Sequence, residues 1–198
     1  MNSELSTFER DMLLEAASIT AGKTIKAINN IIGQQAAVAL PKLEITGIEH
    51  IADSMGKPQD IKTMVLIRIM GEAQGAVVLV IDPSDLPRLL SNVDEKLRIS
   101  ALEEMTNVMA GAALGSLSKL LGILFLQSIP ASTTDMLRAV MSEITGELGE
   151  KSAKVLCMTT RIQIGPDKAI ASMHLLFDTD TTTKVLAAGE KLAGRHYA

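Results

Sequence analysis

The chain has no tryptophan, one tyrosine, three phenylalanines and a single cysteine in 198 residues. A lone Cys157 excludes an internal disulfide and cannot build a zinc cluster. His50, His174 and His196 are widely separated and show no metal-ligand spacing. Aromatics at 2% leave little for base stacking or sugar platforms. An excess of basic charge is also missing: the net charge is -4, which argues against a nucleic-acid partner. The N-terminal residues lack a basic stretch leading into an apolar run, so no signal peptide is expected. One cysteine fits a reducing, cytoplasmic compartment.

What is present is apolar and aliphatic. Apolar residues make up 47% of the chain and charged residues 21%, a balance that favours a folded core over disorder. Eleven methionines among many Leu, Ile and Ala residues suggest a helix-rich, adaptable interior. The longest apolar run, Val108 to Ile129, approaches the length of a membrane span and contains Gly111-x-x-x-Gly115. Lys119 sits in its middle, where a charge costs a few kcal/mol in lipid, so a buried helix is expected and not a span.

Apolar residues at helical spacing run through residues 5–34, with Ser6 or Thr7 as a cap and a second short helix possible between Gly33 and Pro41. Residues 43–52, 64–70 and 76–81 read as strands, and Asp82-Pro83-Ser84-Asp85 opens a helix to about residue 91. The order then recurs. A long helix covers 95–121, Ser132-Thr133-Thr134-Asp135 caps a helix over 135–149, and strands follow at 154–164 and 169–177. A terminal helix begins at Asp178–Thr183 and runs to about residue 193, with a frayed end.

Shifting the chain by 89 residues superposes the two halves without a gap. Leu13 meets Leu102, Glu15 meets Glu104, Ala21-Gly22 meets Ala110-Gly111, Gly33 meets Gly122 and Pro41 meets Pro130. Each half has too few strands to stand comfortably alone. The expected fold is therefore α+β: two pseudo-symmetric helix–strand repeats, about 5–91 and 95–193, forming one antiparallel sheet with long helices packed on one face. The whole of 1–198 is expected to be one domain.

In the second half, Glu104 and Asn107 are three residues apart on one helix face, about 5–6 Å apart at Cβ. Ser100 lies one turn earlier, and 22 residues separate Asn107 from Pro130. Asp11, Glu15, Ser18 and Pro41 repeat those spacings in the first half. The shared pattern is Asp/Ser-x3-Glu-x2-Asn-x22-Pro, with serine in place of asparagine in the first copy.

This two-copy pattern resembles the CheC/CheX/FliY-type chemotaxis phosphatases, over nearly the whole chain. The resemblance implies a phosphatase acting on the aspartyl phosphate of a CheY-like receiver. Its main site would be Glu104 and Asn107, with a second at Glu15 and Ser18, where the serine departs from the family's asparagine. No cofactor would be bound by this chain, because the divalent metal (Mg2+) comes with the phosphorylated receiver. A receiver supplies phospho-aspartate, metal and lysine but lacks a well-placed water. The Asn107 amide can orient one, and Glu104 would pair with the receiver's lysine. The resemblance also implies CheD as a partner, with residues 135–149 the place for it. A non-catalytic module that binds the regulator or CheD is the competing reading; in its regulator-binding form it predicts loss of the motif in both halves.

The remaining polar and small residues have plainer expectations. Asp11 and Ser100 make local helix contacts, and Pro41 and Pro130 set the exit of the chain. Gly22 and Gly111 reflect close helix–sheet or helix–helix approach. Cys157 is inert core, and His174 lies on a surface face of its strand.

Overall fold

The computed structural model describes residues 35–39, 41–148, 154–164 and 170–196, together with a subset of residues 10–32. The described residues of that subset are helical; the expected caps Ser6 and Thr7 lie outside the described residues. Eight strands follow: β1 (Ala36–Val38), β2 (Lys42–Gly47), β3 (Ile61–Gly71), β4 (Gly75–Ile81), β5 (Phe125–Gln127), β6 (Ala131–Met136), β7 (Lys154–Ile164) and β8 (Ala171–Phe177). The helices among them are α1 (Leu86–Leu89), α2 (Arg98–Leu121), α3 (Leu137–Leu148) and α4 (Thr179–His196). A 3-10 helix spans Ile48–Ser54.

All eight strands form one antiparallel sheet, ordered β1-β7-β8-β4-β3-β5, with β2 also on β7 and β6 also on β3. The 89-residue shift carries β1 onto β5, β2 onto β6, and the 3-10 helix onto the start of α3. The edge strands are exchanged between the halves: β1 and β2 pair with β7, and β5 and β6 pair with β3. β4 and β8 meet at the centre, with Val78 opposite His174, Gly75 opposite Phe177 and Ile81 opposite Ala171. That register is what a pseudo-twofold axis between β4 and β8 requires.

Alternation along the strands divides the core in two. Val65, Ile67, Val77, Leu79, Leu156, Met173, Leu175 and Phe177 face one way, beneath Leu13, Ile28 and Ile32, α2 and Val185 of α4. Met64, Val78, Val80, Val155, Cys157 and Leu176 face the other way, under the 3-10 helix and α3. The long helices thus share one face, as expected. The shorter α3 covers the opposite face because Leu137, Met141, Ile144 and Leu148 form an apolar stripe there.

Local differences from the expectations have local causes. Residues 43–52 are not one strand: β2 ends at Gly47, and Ile48, Ile51 and Met55 continue at a spacing that suits a tighter helix. Ser132-Thr133-Thr134-Asp135 does not cap a helix; its β-branched threonines lie in β6, and α3 starts at Leu137. Between Gly33 and Pro41 the chain forms β1, not a short helix. The Val108–Ile129 run is split, since Gly122 ends α2 in the left-handed region at φ 68° and β5 follows. No helix among the described residues is long and apolar enough to cross a membrane.

His174 is the clearest departure, because it is fully buried and not on a surface face. Its Nδ1 lies 3.0 Å from Thr159 Oγ1 and its Nε2 2.8 Å from Ser172 Oγ, so both ring nitrogens are satisfied. Burial, helped by the charge of Arg161, lowers its pKa to about 4. Cys157, on the same face, is buried with its thiol pushed up to about 11, as inert core requires. The histidine sets a pH dependence. The unfolded chain takes up a proton near the ordinary value of 6.5, which the folded chain refuses until about 4. Its contribution is therefore intact above that ordinary value and is lost as pH falls toward the folded one. Urea unfolding of the wild-type chain should lose on the order of 2 kcal/mol between neutral pH and pH ~4.5 from this group. The fall should be visibly smaller in His174→Gln.

Candidate active site

α2 carries the second motif and forms for plain reasons. Leu102, Met105, Thr106, Met109, Ala110, Ala113, Leu114, Leu117 and Leu121 recur at helical spacing and are buried against the sheet. Thr106, the one hydroxyl in that stripe, donates to Leu102 O at 2.7 Å and leaves no unpaired group. Burying this stripe turns Ser100, Glu104, Gly111 and Gly115 outward, with Asn107 half-buried beside them.

Glu104 is exposed and takes part in none of the ion pairs or hydrogen bonds found among the described residues. Its charge is thus free for an external cation. Asn107 is held. Gln127 Nε2 donates to Asn107 Oδ1 at 2.6 Å and approaches Asn107 O at 3.3 Å. One residue before Glu104, Glu103 Oε1 accepts from Ser132 Oγ at 2.6 Å. Gln127 ends β5 opposite Ile69, and Ser132 lies in β6 opposite Val65. Both partner residues belong to the face on which α2 packs, so the two edge strands grip two side chains of the helix.

The first copy is arranged differently. Glu15 and Ser18 are both exposed on the N-terminal helical segment. Ser18 Oγ donates to Leu14 O at 2.7 Å, so its one proton is spent on its own helix. The 89-residue shift places Val38 where the second copy has Gln127, and Leu14 and Leu43 where it has Glu103 and Ser132. Leu43 is buried and Leu14 packs against the same core. The first copy therefore has two leucines in place of the Glu103–Ser132 pair, and Ser18 with Val38 in place of the Asn107–Gln127 pair.

Gln127 and Ser132 were not singled out in the sequence, because β5 was not foreseen and β6 was read as a cap. The signal that could have found them is the same shift, which shows Asn107 and Gln127 replaced together by Ser18 and Val38. The expected close packing at Gly22 and Gly111 is absent. A Cβ on Gly22 would meet nothing within 4 Å, and one on Gly111 would make an ordinary 3.5 Å contact with Gln127 Oε1. Among the described residues, no three His, Cys, Asp or Glu side chains are grouped to hold a metal ion.

No family model matches the chain. Among curated proteins, it is 24% identical over 194 residues to the CheY-P phosphatase CheC of Bacillus subtilis (strain 168), covering 91% of this chain and 93% of that protein. Its fold matches FliY of Thermotoga maritima with a TM-score of 0.74 at 19% identity, over 94% of this chain and 98% of the other. The chain is thus similar in sequence to a CheC protein and in fold to FliY. A similar fold is found in the FliM middle domain from H. pylori, with a TM-score of 0.69 at 12% identity, over 93% and 99% of the two chains. At these identities the structural likeness establishes architecture, and the chemistry rests on the residues that α2 presents.

The open space around Gly115 makes one prediction independent of function. A Cβ there meets nothing within 4 Å, and glycine inside a helix costs up to ~1 kcal/mol relative to alanine. Gly115→Ala should raise the unfolding free energy by an amount in that range, read as a higher urea midpoint; a lower midpoint would show an obstruction on this face.

Proposed function

We propose that the chain stimulates hydrolysis of the aspartyl phosphate of a CheY-like receiver, using Asn107 and Glu104 of α2. The observation that carries this reading is a free carboxylate at Glu104 beside an amide at Asn107 held by a second side chain, both on the outward face of one rigid helix. The similarity to CheC names the reaction class.

The chemistry asks little of this chain beyond placement. The receiver brings the phospho-aspartate, the divalent metal that neutralises phosphoryl charge, and a lysine. Water must attack phosphorus in line with the departing carboxylate oxygen. An amide at the end of a helix-borne side chain fixes that water by hydrogen bonding, and correct placement alone is worth several orders of magnitude. Glu104 would make the charge pair with the receiver's lysine and set the register of docking. A carboxylate aimed at the phosphoryl group itself would repel it, so Glu104 is an anchor and not a general base. The smooth surface at Gly111 and Gly115, one and two turns on, allows close approach of a partner backbone.

The first copy supports this assignment by contrast. Ser18 is shorter than asparagine and its proton is engaged by Leu14 O. A water held there would be displaced by about 1 Å or more, which can cost on the order of 10²-fold. CheD docking on residues 135–149 belongs to the same proposal: Arg138, Ser142 and Glu143 are exposed on the outer side of α3.

Decay of a phosphorylated receiver, followed with and without the protein, tests the assignment. Asn107→Ala should remove most of the acceleration, on the order of 10²-fold, and Ser18→Ala little. Glu104→Ala should chiefly raise the receiver concentration needed for half-maximal rate. A ranking in which Ser18→Ala costs more than Asn107→Ala would overturn the placement at α2.

A further inference from the structure

The geometry points to Gln127 as the positioning residue of the site: it locks the Asn107 amide in one orientation, with Oδ1 inward and the Nδ2 protons presented outward to the attacking water. This rests on the phosphatase reading above and deepens it.

The orientation follows from donor and acceptor chemistry. The backbone carbonyl of Asn107 can only accept, and the Gln127 side-chain atom 3.3 Å from it must therefore be its NH2 group. That same nitrogen lies 2.6 Å from the Asn107 side-chain amide, so the facing atom there must be the acceptor, Oδ1. Two protons on one nitrogen serve two oxygens of one residue. Rotating the Asn107 amide by half a turn would bring two NH2 groups together, with no acceptor between them. Asn107 thus presents N–H donors to its surroundings. A donor of this kind occupies one lone pair of a water and leaves another to attack phosphorus. A freely rotating amide would present the donor only part of the time.

Internal duplication supplies the second observation. Where the first copy has Ser18 for Asn107, it has Val38 for Gln127, and the two replacements occur in elements separated by the length of a helix. Val38 sits opposite Ile162 in β1 as Gln127 sits opposite Ile69 in β5. The fold accepts an apolar residue at this position without Gln127's hydrogen bonds. Gln127 is therefore not needed to hold β5 in place, and its pairing with Asn107 serves the outward face of α2.

The test uses the full chain and a phosphorylated receiver, with rates taken over a range of receiver concentrations. Gln127→Val copies the first repeat and should fold. It should lower the maximal rate by ~10-fold or more with the half-saturating receiver concentration unchanged. Asn107→Ala combined with Gln127→Val should be no slower than Asn107→Ala alone, since the two act as one unit. Gln127→Glu gives a signature that a structural role would not. Ionised, the introduced carboxylate only accepts, so the Asn107 amide turns and presents Oδ1; protonated, it donates again. Its maximal rate relative to wild type should be lowest near pH ~8 and rise as pH falls toward ~5. Wild-type acceleration with an unchanged maximal rate in Gln127→Val, or a flat ratio for Gln127→Glu, would overturn the role of Gln127 alone. Unchanged receiver decay with the wild-type chain would overturn the phosphatase reading and this inference with it.

Discussion

The exchange of edge strands between the two halves is the constraint on which the rest depends. β5 and β6 leave the second helix only to pair with β3 of the first half, and β1 and β2 pair likewise with β7 of the second. Neither half can complete its sheet alone. The exchange also fixes where α2 can lie. It is tied through Gly122 to β5, and its buried stripe must cover the β3 side of the sheet. Glu103 and Asn107 are then within reach of Ser132 and Gln127 because of strand register, not because of any local sequence signal.

Duplication followed by divergence accounts for the asymmetry of the two helices. The core positions remain interchangeable, as Leu13 and Leu102 show, both fully buried. The positions between helix and edge strand have diverged in chemistry. One copy carries Leu14 and Leu43, which add apolar contact, and the other carries Glu103 and Ser132, which add a directed bond at 2.6 Å. A hydrogen-bonded pair contributes about as much net stability as modest apolar burial, roughly 1 kcal/mol. The exchange therefore costs the fold little, while it fixes side-chain direction on the outward face. The resulting preorganisation is what a water-placing site needs and what a merely adhesive surface does not.

Much of the architecture was legible because it is written in long periodic segments. The α2 stripe, the strands β3, β4, β7 and β8, and the repeat follow from residue spacing, although the 89-residue shift holds only as far as α3, and β7 and β8 lie a few residues further along than it places them. The motif residues Glu104, Asn107, Glu15 and Ser18 could be named for the same reason. Other features were hidden. β1 and β5 are three residues each, too short to show alternation. The Thr-rich β6 resembles a cap locally, and only its pairing with β3 makes it a strand. His174 sits among apolar neighbours in the sequence in a way that does not distinguish a solvated face from one covered by the 3-10 helix and α3. Gln127 depends on two tertiary facts, the register of β5 and the rotation of α2, and no local pattern contains either.

The most direct test of the account is the lifetime of a phosphorylated CheY-like receiver, with its divalent metal, in the presence and absence of the intact chain. The account predicts faster loss of the aspartyl phosphate, saturating with receiver concentration. A lifetime unchanged by the chain, with the two proteins shown to bind, would contradict it.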